Sequence, residues 1–217
     1  MIRLLFHGIG EPERPLEAGE DAVWVDRASF TEVLDAMASR PGVAISFDDG
    51  NLSDLEIAAP ELEERGLRGT FFVLRDHVGK PGYLDEAALR ELVSRGHSIG
   101  SHGVAHLRWP ELDDDSLRQE LGDSRGYLED LLGHPVAEAG IPFGAYDRRV
   151  LRELRAHGYE RVFSSDGGIA DPGAFLQPRV SVRRGQGAPE VLERIRLFES
   201  FIGGLVRRAK NLVKRLR

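Results

Sequence analysis

Short apolar runs alternate along this chain with segments in which apolar residues recur at helical spacing. The runs of strand length are residues 2–6, 43–47, 70–74, 98–100, 136–141, 161–164 and 179–182. The helical segments are residues 28–40, 53–65, 85–96, 113–132 and 147–157. This alternation is typical of a parallel sheet whose strands are joined by helices. Seven strands with about as many helices predict a closed or nearly closed barrel.

Polar side chains follow many of these strands directly, although they are far apart in the sequence. They are His7, Asp48, Asp49, His102, Asp166 and the segment 142–144. The carboxyl ends of the strands of an α/β barrel form the rim at which catalytic groups converge. We therefore expect a functional site at this rim.

Two adjacent carboxylates end the second strand. Because side chains alternate across a strand, Asp48 and Asp49 are not expected to bury on the same face. Burying either charge without a partner would cost several kcal/mol. We therefore expect both at an open strand end, close to a positive group. The alternative is a helix-capping turn before Ser53.

His102 and His106 lie four residues apart after the fourth strand. A helical turn would direct both rings to one place. Two imidazoles and one carboxylate leave a coordination position open, which is typical of a catalytic zinc-type site. Taken alone, each histidine is more often a surface or hydrogen-bonded group. The metal hypothesis therefore depends on the aspartates and the histidines together.

The composition narrows the class of protein. A chain of 217 residues, 41% of them hydrophobic, can form one domain with a full core. It contains no cysteine, so a metal would have to be held by His, Asp or Glu. The formal charge of −7 argues against a general nucleic-acid binder. Because neither an export signal nor a membrane span is recognisable, we expect a cytoplasmic location.

Three motifs resemble, in order and spacing, those of the polysaccharide deacetylases, the NodB-homology group of carbohydrate esterases. They are Ser46-Phe47-Asp48-Asp49-Gly50, His102-x-x-x-His106 and Ile141-Pro142-Phe143-Gly144. The similarity covers residues 4–182. It implies a distorted (β/α)7 barrel over residues 1–188. It also implies removal of N-acetyl groups from an amino sugar in a glycan or glycolipid.

The resemblance implies roles for the motif residues. Asp48 corresponds to the general base, and Asp49 corresponds to a metal ligand together with His102 and His106. Phe143 corresponds to the residue whose backbone N–H binds the oxyanion. Zinc is the expected metal, although cobalt, nickel or iron would suit the same ligands.

Pro142, Gly144 and Asp166 are the predicted substrate-binding residues. The proline fixes the backbone that approaches the substrate, and the glycine permits close contact. Asp166 would orient the acid or a sugar hydroxyl, with an ordinary turn aspartate as the alternative. Residues 8–25 show little periodicity and are interpreted as a loop over the rim, or else as a solvated connection.

The general acid is the first departure from the family pattern. The family's late Leu-x-His motif, which usually supplies this acid, is missing. The opening Leu4-Leu5-Phe6-His7 resembles the Tyr-His start of the biofilm-glycan N-deacetylases, in which an N-terminal histidine takes that role. His7 is therefore the predicted acid. The alternative is a strand-end histidine that bonds to the backbone.

Two further departures concern the supports of the site. Gly140 stands where the family has an arginine that orients the base, so Asp48 needs Arg149, Arg179 or another side chain to reach it. Gly103 replaces a serine or threonine that braces the histidine loop. These losses keep two alternatives open: a metal-dependent hydrolase of a non-sugar amide, and a catalytically silent carbohydrate-binding member of the family.

The last segment, residues 189–217, is predicted to be a C-terminal helix with a basic amphipathic tail. From residue 201 onward there are six basic residues and no acidic one. At helical spacing the apolar side chains of this tail fall on one face, as in a helix that lies on anionic lipid. One interpretation is peripheral contact with the inner membrane face. The other is a terminal helix docked on the barrel.

Overall fold

The structure is a computed structural model that describes residues 1–200. The strands of this part of the chain are Ile2–Phe6 (β1), Val43–Asp49 (β2), Gly69–Val73 (β3), Ser98–Ser101 (β4), Glu138–Gly140 (β5), Arg161–Ser164 (β6), Leu176–Pro178 (β7) and Val180–Ser181 (β8). Its α-helices are Arg27–Ala38 (α1), Ala59–Glu64 (α2), Glu86–Ser94 (α3), Asp114–Leu132 (α4), Arg148–Ala156 (α5) and Ala188–Glu199 (α6). Neighbouring strands pair in parallel, in the order β7-β6-β5-β4-β3-β2-β1-β8.

β7 and β8 are the two halves of one interrupted strand. Arg179 alone separates them, and its N–H donates to the carbonyl oxygen of Ser164 at 2.9 Å. β7 pairs with β6 at one edge of the sheet, whereas β8 pairs with β1 at the other edge. The interrupted strand therefore joins the two edges. This closure confirms the predicted barrel.

The last strand differs from the prediction in its extent. It was expected at residues 179–182, but it begins at Leu176 and breaks at Arg179. The first half of this strand was not predicted because it contains Pro178. A proline cannot donate to a strand ladder and usually indicates the end of a strand.

The helices begin where local signals place them. The first residues of α1, α3, α4 and α5 follow aspartates whose carboxylates accept a backbone N–H three residues later, namely Asp26, Asp85, Asp113 and Asp147. Pro60 lies inside the predicted helical segment 53–65, where a proline causes a kink or a late helix start. A π-helical turn, Asp54–Ala58, precedes α2 and leaves the proline in the first turn of α2, where its missing N–H costs little.

Two hydrophobic clusters hold the strands in place. The larger one packs β1, β2 and β3 against α1, α2, α3 and α6, and includes the stacked rings of Phe47 and Phe71 with centroids 4.7 Å apart. The smaller one packs β5 and β6 against α4 and α5 around Trp109, which is fully buried. Among the helices of residues 1–200, none is long and apolar enough to cross a membrane.

Candidate active site

A cleft of about 370 Å³ opens at the carboxyl ends of the strands. The predicted residues that line it are His7, Asp48, Asp49, His102, His106, Phe143 and Gly144. The other two, Pro142 and Asp166, are not among the described residues that line it. Its volume lies within the range of small-molecule sites. The barrel thus gathers side chains from distant parts of the sequence into one cavity.

Asp48 and Asp49 are both buried, although they are consecutive on β2. Asp49 has a φ of +81°, in the left-handed region, so the alternation of side chains breaks at this residue and both residues line the same cleft. The expectation that they would not share a face was therefore wrong, because it assumed a regular strand to its last residue. A non-glycine residue in this conformation costs about 1–3 kcal/mol and persists only where its surroundings fix it.

Asp49 and the two histidines form a compact group of ligand atoms. Oδ1 of Asp49 lies 3.5 Å from Nε2 of His102 and 3.7 Å from Nε2 of His106. The expected helical turn between the histidines does not form. His106 instead has a φ of +54°, and the extended loop brings its ring to within 5.4 Å of the His102 ring, measured between centroids.

This group fits a divalent metal ion. The ligand atoms of Asp49, His102 and His106 all lie within 4.8 Å of one another. Nδ1 of His102 lies 2.9 Å from the carbonyl oxygen of Gly140, which can only accept, so Nδ1 carries the proton and Nε2 keeps its lone pair. Oδ1 of Asp49 is buried and has no hydrogen-bond partner within residues 1–200. Two imidazoles and a carboxylate are a donor set that zinc and its neighbours bind.

Burial sets the protonation of this group. It lowers the pKa of His102 to about 3, so the imidazole is neutral at pH 7, as a metal ligand must be. It raises the pKa of Asp49 to about 6. A nearby cation would favour the ionised form of Asp49 and offset this effect of burial.

Arg179 binds Asp48 through two hydrogen bonds, of 2.6 and 2.7 Å. Both side chains are buried. Burial opposes the charged form of Asp48, but the attraction of Arg179 lowers the pKa of this carboxyl to about 2. The arginine comes from the break between β7 and β8, so the residue at which the barrel closes also orients the carboxylate.

Arg179 therefore contacts Asp48 in place of the arginine that the family has at position 140 and this chain lacks. Arg149, the other candidate, lies on the surface and binds Asp114 and the carbonyl oxygen of Leu112. A Cβ at Gly140 would stand only 3.0 Å from Nδ1 of His102 and 3.2 Å from Oδ1 of Asp48. There is thus little room for a side chain at position 140, and Arg179 reaches Asp48 from elsewhere in the barrel.

Phe143 is an exposed aromatic residue in a strained conformation. Its φ is +57°, and 51% of its surface is exposed. Its ring stacks on the ring of His106 with centroids 4.3 Å apart. At the next residue, Gly144, a Cβ would stand 2.3 Å from Oγ of Ser165, so only glycine fits this close approach.

His7 and Asp166 lie in different surroundings. The ring of His7 lines the cleft, and its buried Nδ1 has no hydrogen-bond partner in the part of the chain that the structure describes. Asp166 accepts hydrogen bonds from the hydroxyls of Tyr146, at 2.8 Å, and Ser164, at 2.9 Å. Its role toward the acid or a substrate stays a prediction.

Glu120, which was not predicted from the sequence, supports the loop between His102 and His106. Its buried carboxylate accepts the N–H groups of Val104, at 2.9 Å, and Ala105, at 3.1 Å. A Cβ at Gly103 would stand 2.6 Å from the same carboxylate, so the missing Ser or Thr is replaced by a brace from α4. One feature of the sequence could have identified it: Glu120 lies three residues after Leu117, so it falls on the apolar stripe of α4, where a charged residue is unusual.

Comparison with known proteins identifies the class. The family described as Polysaccharide deacetylase matches residues 36–162, more than half of the chain, and the protein belongs to this family. YxkH of Bacillus subtilis (strain 168), a protein named for the same family, is 26% identical over 198 residues, which are 84% of this chain and 71% of YxkH. A peptidoglycan-N-acetylglucosamine deacetylase of Bacillus cereus is 24% identical over 124 residues, which are 56% of this chain but only 42% of that protein.

Solved structures share the fold. The deacetylase PplD of Streptococcus pyogenes, in complex with acetate, superposes with a TM-score of 0.78 at 20% identity, over 90% of this chain and 97% of PplD. IcaB from Ammonifex degensii superposes with a TM-score of 0.74 at 22% identity, over 89% of this chain and 95% of IcaB. At these identities the likeness establishes the NodB-type barrel.

Proposed function

We propose that this protein is a metal-dependent deacetylase that hydrolyses the N-acetyl group of an amino sugar in a glycan or glycolipid. The observation that carries the proposal is the arrangement in one cleft of a potential metal site beside a separate carboxylate. Asp49, His102 and His106 form the first, and Asp48, bound by Arg179, is the second. The names of the related proteins, polysaccharide and peptidoglycan deacetylases, support the substrate class.

Asp49, His102 and His106 would hold the ion. When bound, a divalent ion supplies Lewis-acid chemistry, which withdraws electrons from a carbonyl oxygen and lowers the pKa of water. Zinc is the first choice for these ligands, with cobalt, nickel and iron as alternatives. Nδ1 of His102 stays bonded to the backbone, so the orientation of this ring does not depend on the ion.

Asp48 would act as the general base. Arg179 keeps it ionised at neutral pH and fixes its orientation, so its oxygens are free of a proton, although the lowered pKa makes Asp48 a weak base. As the oxygen of a water molecule bonds to the acetyl carbonyl carbon, that water gives its proton to Asp48. The carbonyl oxygen becomes an oxyanion, which the backbone N–H of Phe143 would stabilise.

His7 would complete the reaction as the general acid. It donates a proton to the nitrogen as the carbon–nitrogen bond breaks, leaving acetate and a free amino sugar. Its place on the cleft wall supports this role. Pro142, Gly144 and Asp166 would then shape the backbone and polar surface that receives the sugar, Gly144 from the cleft wall itself.

The test is acetate release from N-acetylglucosamine oligomers, combined with elemental analysis of bound metal. The parent is compared with Asp48→Asn, which removes the base but no metal ligand, and with Asp123→Asn, an exposed aspartate of α4. We expect the rate of Asp48→Asn to fall by about 10²–10⁴ with its metal content unchanged, whereas Asp123→Asn behaves like the parent.

Other results would point to the alternatives. A parent protein that binds metal but releases no acetate from any sugar would favour a non-sugar amide as the substrate. A parent that neither binds metal nor releases acetate would favour a catalytically silent carbohydrate-binding protein and would overturn the proposal.

Peripheral membrane contact through residues 201–217 is a separate part of the proposal. These residues lie outside the described part of the chain, so the support is their sequence pattern alone. Flotation with vesicles that contain anionic lipid, with and without residues 201–217, tests it. Equal flotation of the two proteins would contradict it.

A further inference from the structure

Arg14 is an almost buried arginine in the loop that covers the cleft. This rim loop, residues 8–25, contributes residues 17–20 and Val23 to the cleft wall. Only 7% of the Arg14 side chain is exposed, whereas Glu13 and Pro15 on either side are exposed. An arginine is seldom buried unless it is paired. Its partners therefore show what the residue does.

The guanidinium of Arg14 joins three separate segments of the chain. It forms a bidentate ion pair with Glu20 of the rim loop. Its Nη2 also donates to Oδ1 of Asn51 at 2.7 Å. Its central carbon lies 4.2 Å from the centroid of the Tyr83 ring. A planar group with several fixed donors suits this site, and a lysine could not make all of these contacts at once.

Asn51 belongs to the turn that carries the catalytic aspartates. It follows Asp49 by two residues and forms an isolated bridge with Tyr83. The N–H of Leu84 donates to the carbonyl oxygen of Gly50 at 2.9 Å, which ties the Tyr83 segment to the same turn. Arg14 therefore connects the rim loop to the backbone next to the proposed metal ligand.

The rim loop is also attached near both of its ends, and the N–H of Ile9, for example, donates to Oγ of Ser53 at 3.2 Å. At its base, Ile9 forms a bridge with Val25, and Nε1 of Trp24 donates to the carbonyl oxygen of Gly10 at 2.7 Å. Near the C-terminal end of the loop, the N–H of Arg184 donates to the carbonyl oxygen of Ala22 at 3.0 Å. Arg14 holds the part between these attachments, which includes the cleft-lining residues 17–20.

Glu20 passes this support on to the cleft wall. The carboxylate of Glu20 binds Arg14, and its Oε2 atom also accepts the N–H of Glu17 at 2.8 Å. Both glutamates line the cleft. The position of the wall on this side is thus set by a chain of contacts that starts at Asn51 and runs through Arg14.

We propose that Arg14 is a positioning residue for substrate binding, which fastens the rim loop to the Asp48–Asp49 turn and so fixes one wall of the cleft. The proposal rests on the proposed function, because the substrate whose binding it supports is the acetylated sugar. Within residues 1–200 the hydrogen bonds of Arg14 reach Pro15, Glu20 and Asn51, and none reaches a proposed ligand atom or the base. We therefore expect Arg14 to affect substrate binding more than metal binding or the chemical step.

The experiment compares Arg14→Ala and Arg14→Lys with the parent, using acetylated glucosamine oligomers and the zinc-loaded full chain. We expect KM to rise about tenfold in Arg14→Ala, with kcat and zinc affinity within about threefold of the parent. Arg14→Lys should lie between the two, because it keeps the charge but loses the paired contacts. Arg95→Ala is the matched control, since Arg95 likewise forms a bidentate ion pair with a glutamate, Glu63, but away from the cleft.

Limited digestion with a glutamate-specific protease provides the second readout. The rim loop contains Glu11, Glu13, Glu17 and Glu20, and fragment masses locate the cut. We expect cleavage in the loop to be faster in Arg14→Ala than in the parent and unchanged in Arg95→Ala.

Three results would overturn the role of Arg14. They are an unchanged KM, a fall in kcat or zinc affinity equal to the rise in KM, and loop cleavage no faster than in the parent. A parent that hydrolyses no acetylated sugar would instead contradict the proposed function. Digestion would still decide whether Arg14 holds the loop, because it needs no substrate.

Discussion

Two clusters in this protein are built from the same kinds of side chain, yet only one lies in the cleft. Each contains carboxylate, histidine and arginine within hydrogen-bonding or ion-pairing distance. The cleft cluster consists of Asp48, Asp49, His102 and Arg179, and the outer cluster, between α2 and α3, consists of Glu63, Arg95 and His97.

The outer cluster is fully paired. Arg95 makes hydrogen bonds of 2.8 and 3.0 Å to Glu63, whose side chain is 30% exposed. Nε2 of His97 lies 3.0 Å from the same carboxylate, and its Nδ1 accepts the N–H of Gly69 at 3.1 Å. Both ring nitrogens and both carboxylate oxygens are used, which is typical of a structural cluster.

The cleft cluster combines pairing with an uncommitted atom. Arg179 forms hydrogen bonds with the carboxylate of Asp48. Oδ1 of Asp49, in contrast, is buried without a hydrogen-bond partner in the described chain, and the backbone of Asp49 is in the left-handed region. Buried groups that a protein leaves unsatisfied, on strained backbone, are found at functional sites. Residue types alone do not distinguish the two clusters. The uncommitted atom and the strained backbone do.

The largest expected effect comes from removing the arginine of the cleft cluster, compared with removing the arginine of the outer cluster. Arg179→Met leaves the buried Asp48 without its partner, and we expect a loss of about 3–5 kcal/mol in the free energy of unfolding. Arg95→Met affects a partly exposed ion pair and should cost about 1 kcal/mol or less. Urea denaturation of both variants measures the difference. Equal losses would remove the distinction between the clusters.

The next effect concerns metal binding. Asp49→Asn should weaken zinc affinity by more than about 100-fold, because it removes a proposed direct ligand and not an outer partner. Glu63→Gln should leave zinc affinity unchanged, although Glu63 also lies beside a histidine. Competition with a coloured chelator measures both. Zinc that binds equally well to Asp49→Asn would place the ion elsewhere.

The smallest effect is a pH dependence of stability in the outer cluster. Hydrogen bonds from Arg95 lower the pKa of Glu63 from its ordinary 4.5 to about 2. The folded state therefore binds this proton less readily than the unfolded state, so the stabilisation is present above pH 4.5 and is lost as the pH falls toward 2. Because Glu63 is partly exposed, we expect about 1 kcal/mol or less.

Urea midpoints of the parent and Glu63→Gln, measured at pH 7, 4.5 and 3, test this dependence. The parent should be the more stable protein at pH 7, and the difference should shrink at each step. A difference that stays constant, or grows as the pH falls, would contradict the assignment of the pKa shift to Glu63.

The sequence predicts the parts of the site that lie in short motifs. Asp49, His102 and His106 come together because each follows a strand of one parallel barrel, and the order of strands follows from the alternation of elements. The helix starts were equally local, since Asp85 and Asp113 cap the first turns that follow them.

The parts that depend on long-range packing could not be predicted. Left-handed backbone is unusual for a phenylalanine such as Phe143, and an aspartate such as Asp49 adopts it only occasionally, so the barrel around them imposes it. The sequence named Arg149 and Arg179 as candidate partners of Asp48 and left other side chains open. Only the break at Arg179, where the barrel closes, shows which one reaches it.

The course of α6 determines where on the barrel the described chain ends. Its last residue, Glu199, pairs with Arg40 at 2.6 Å and lies beside Ile2 and Gly42, where β1 and β2 begin. The cleft lies at the other ends of these strands. The described chain therefore ends at the base of the barrel, at the opposite end of the strands from the cleft. The point at which residues 201–217 join the described chain is thus remote from the opening through which a substrate would enter.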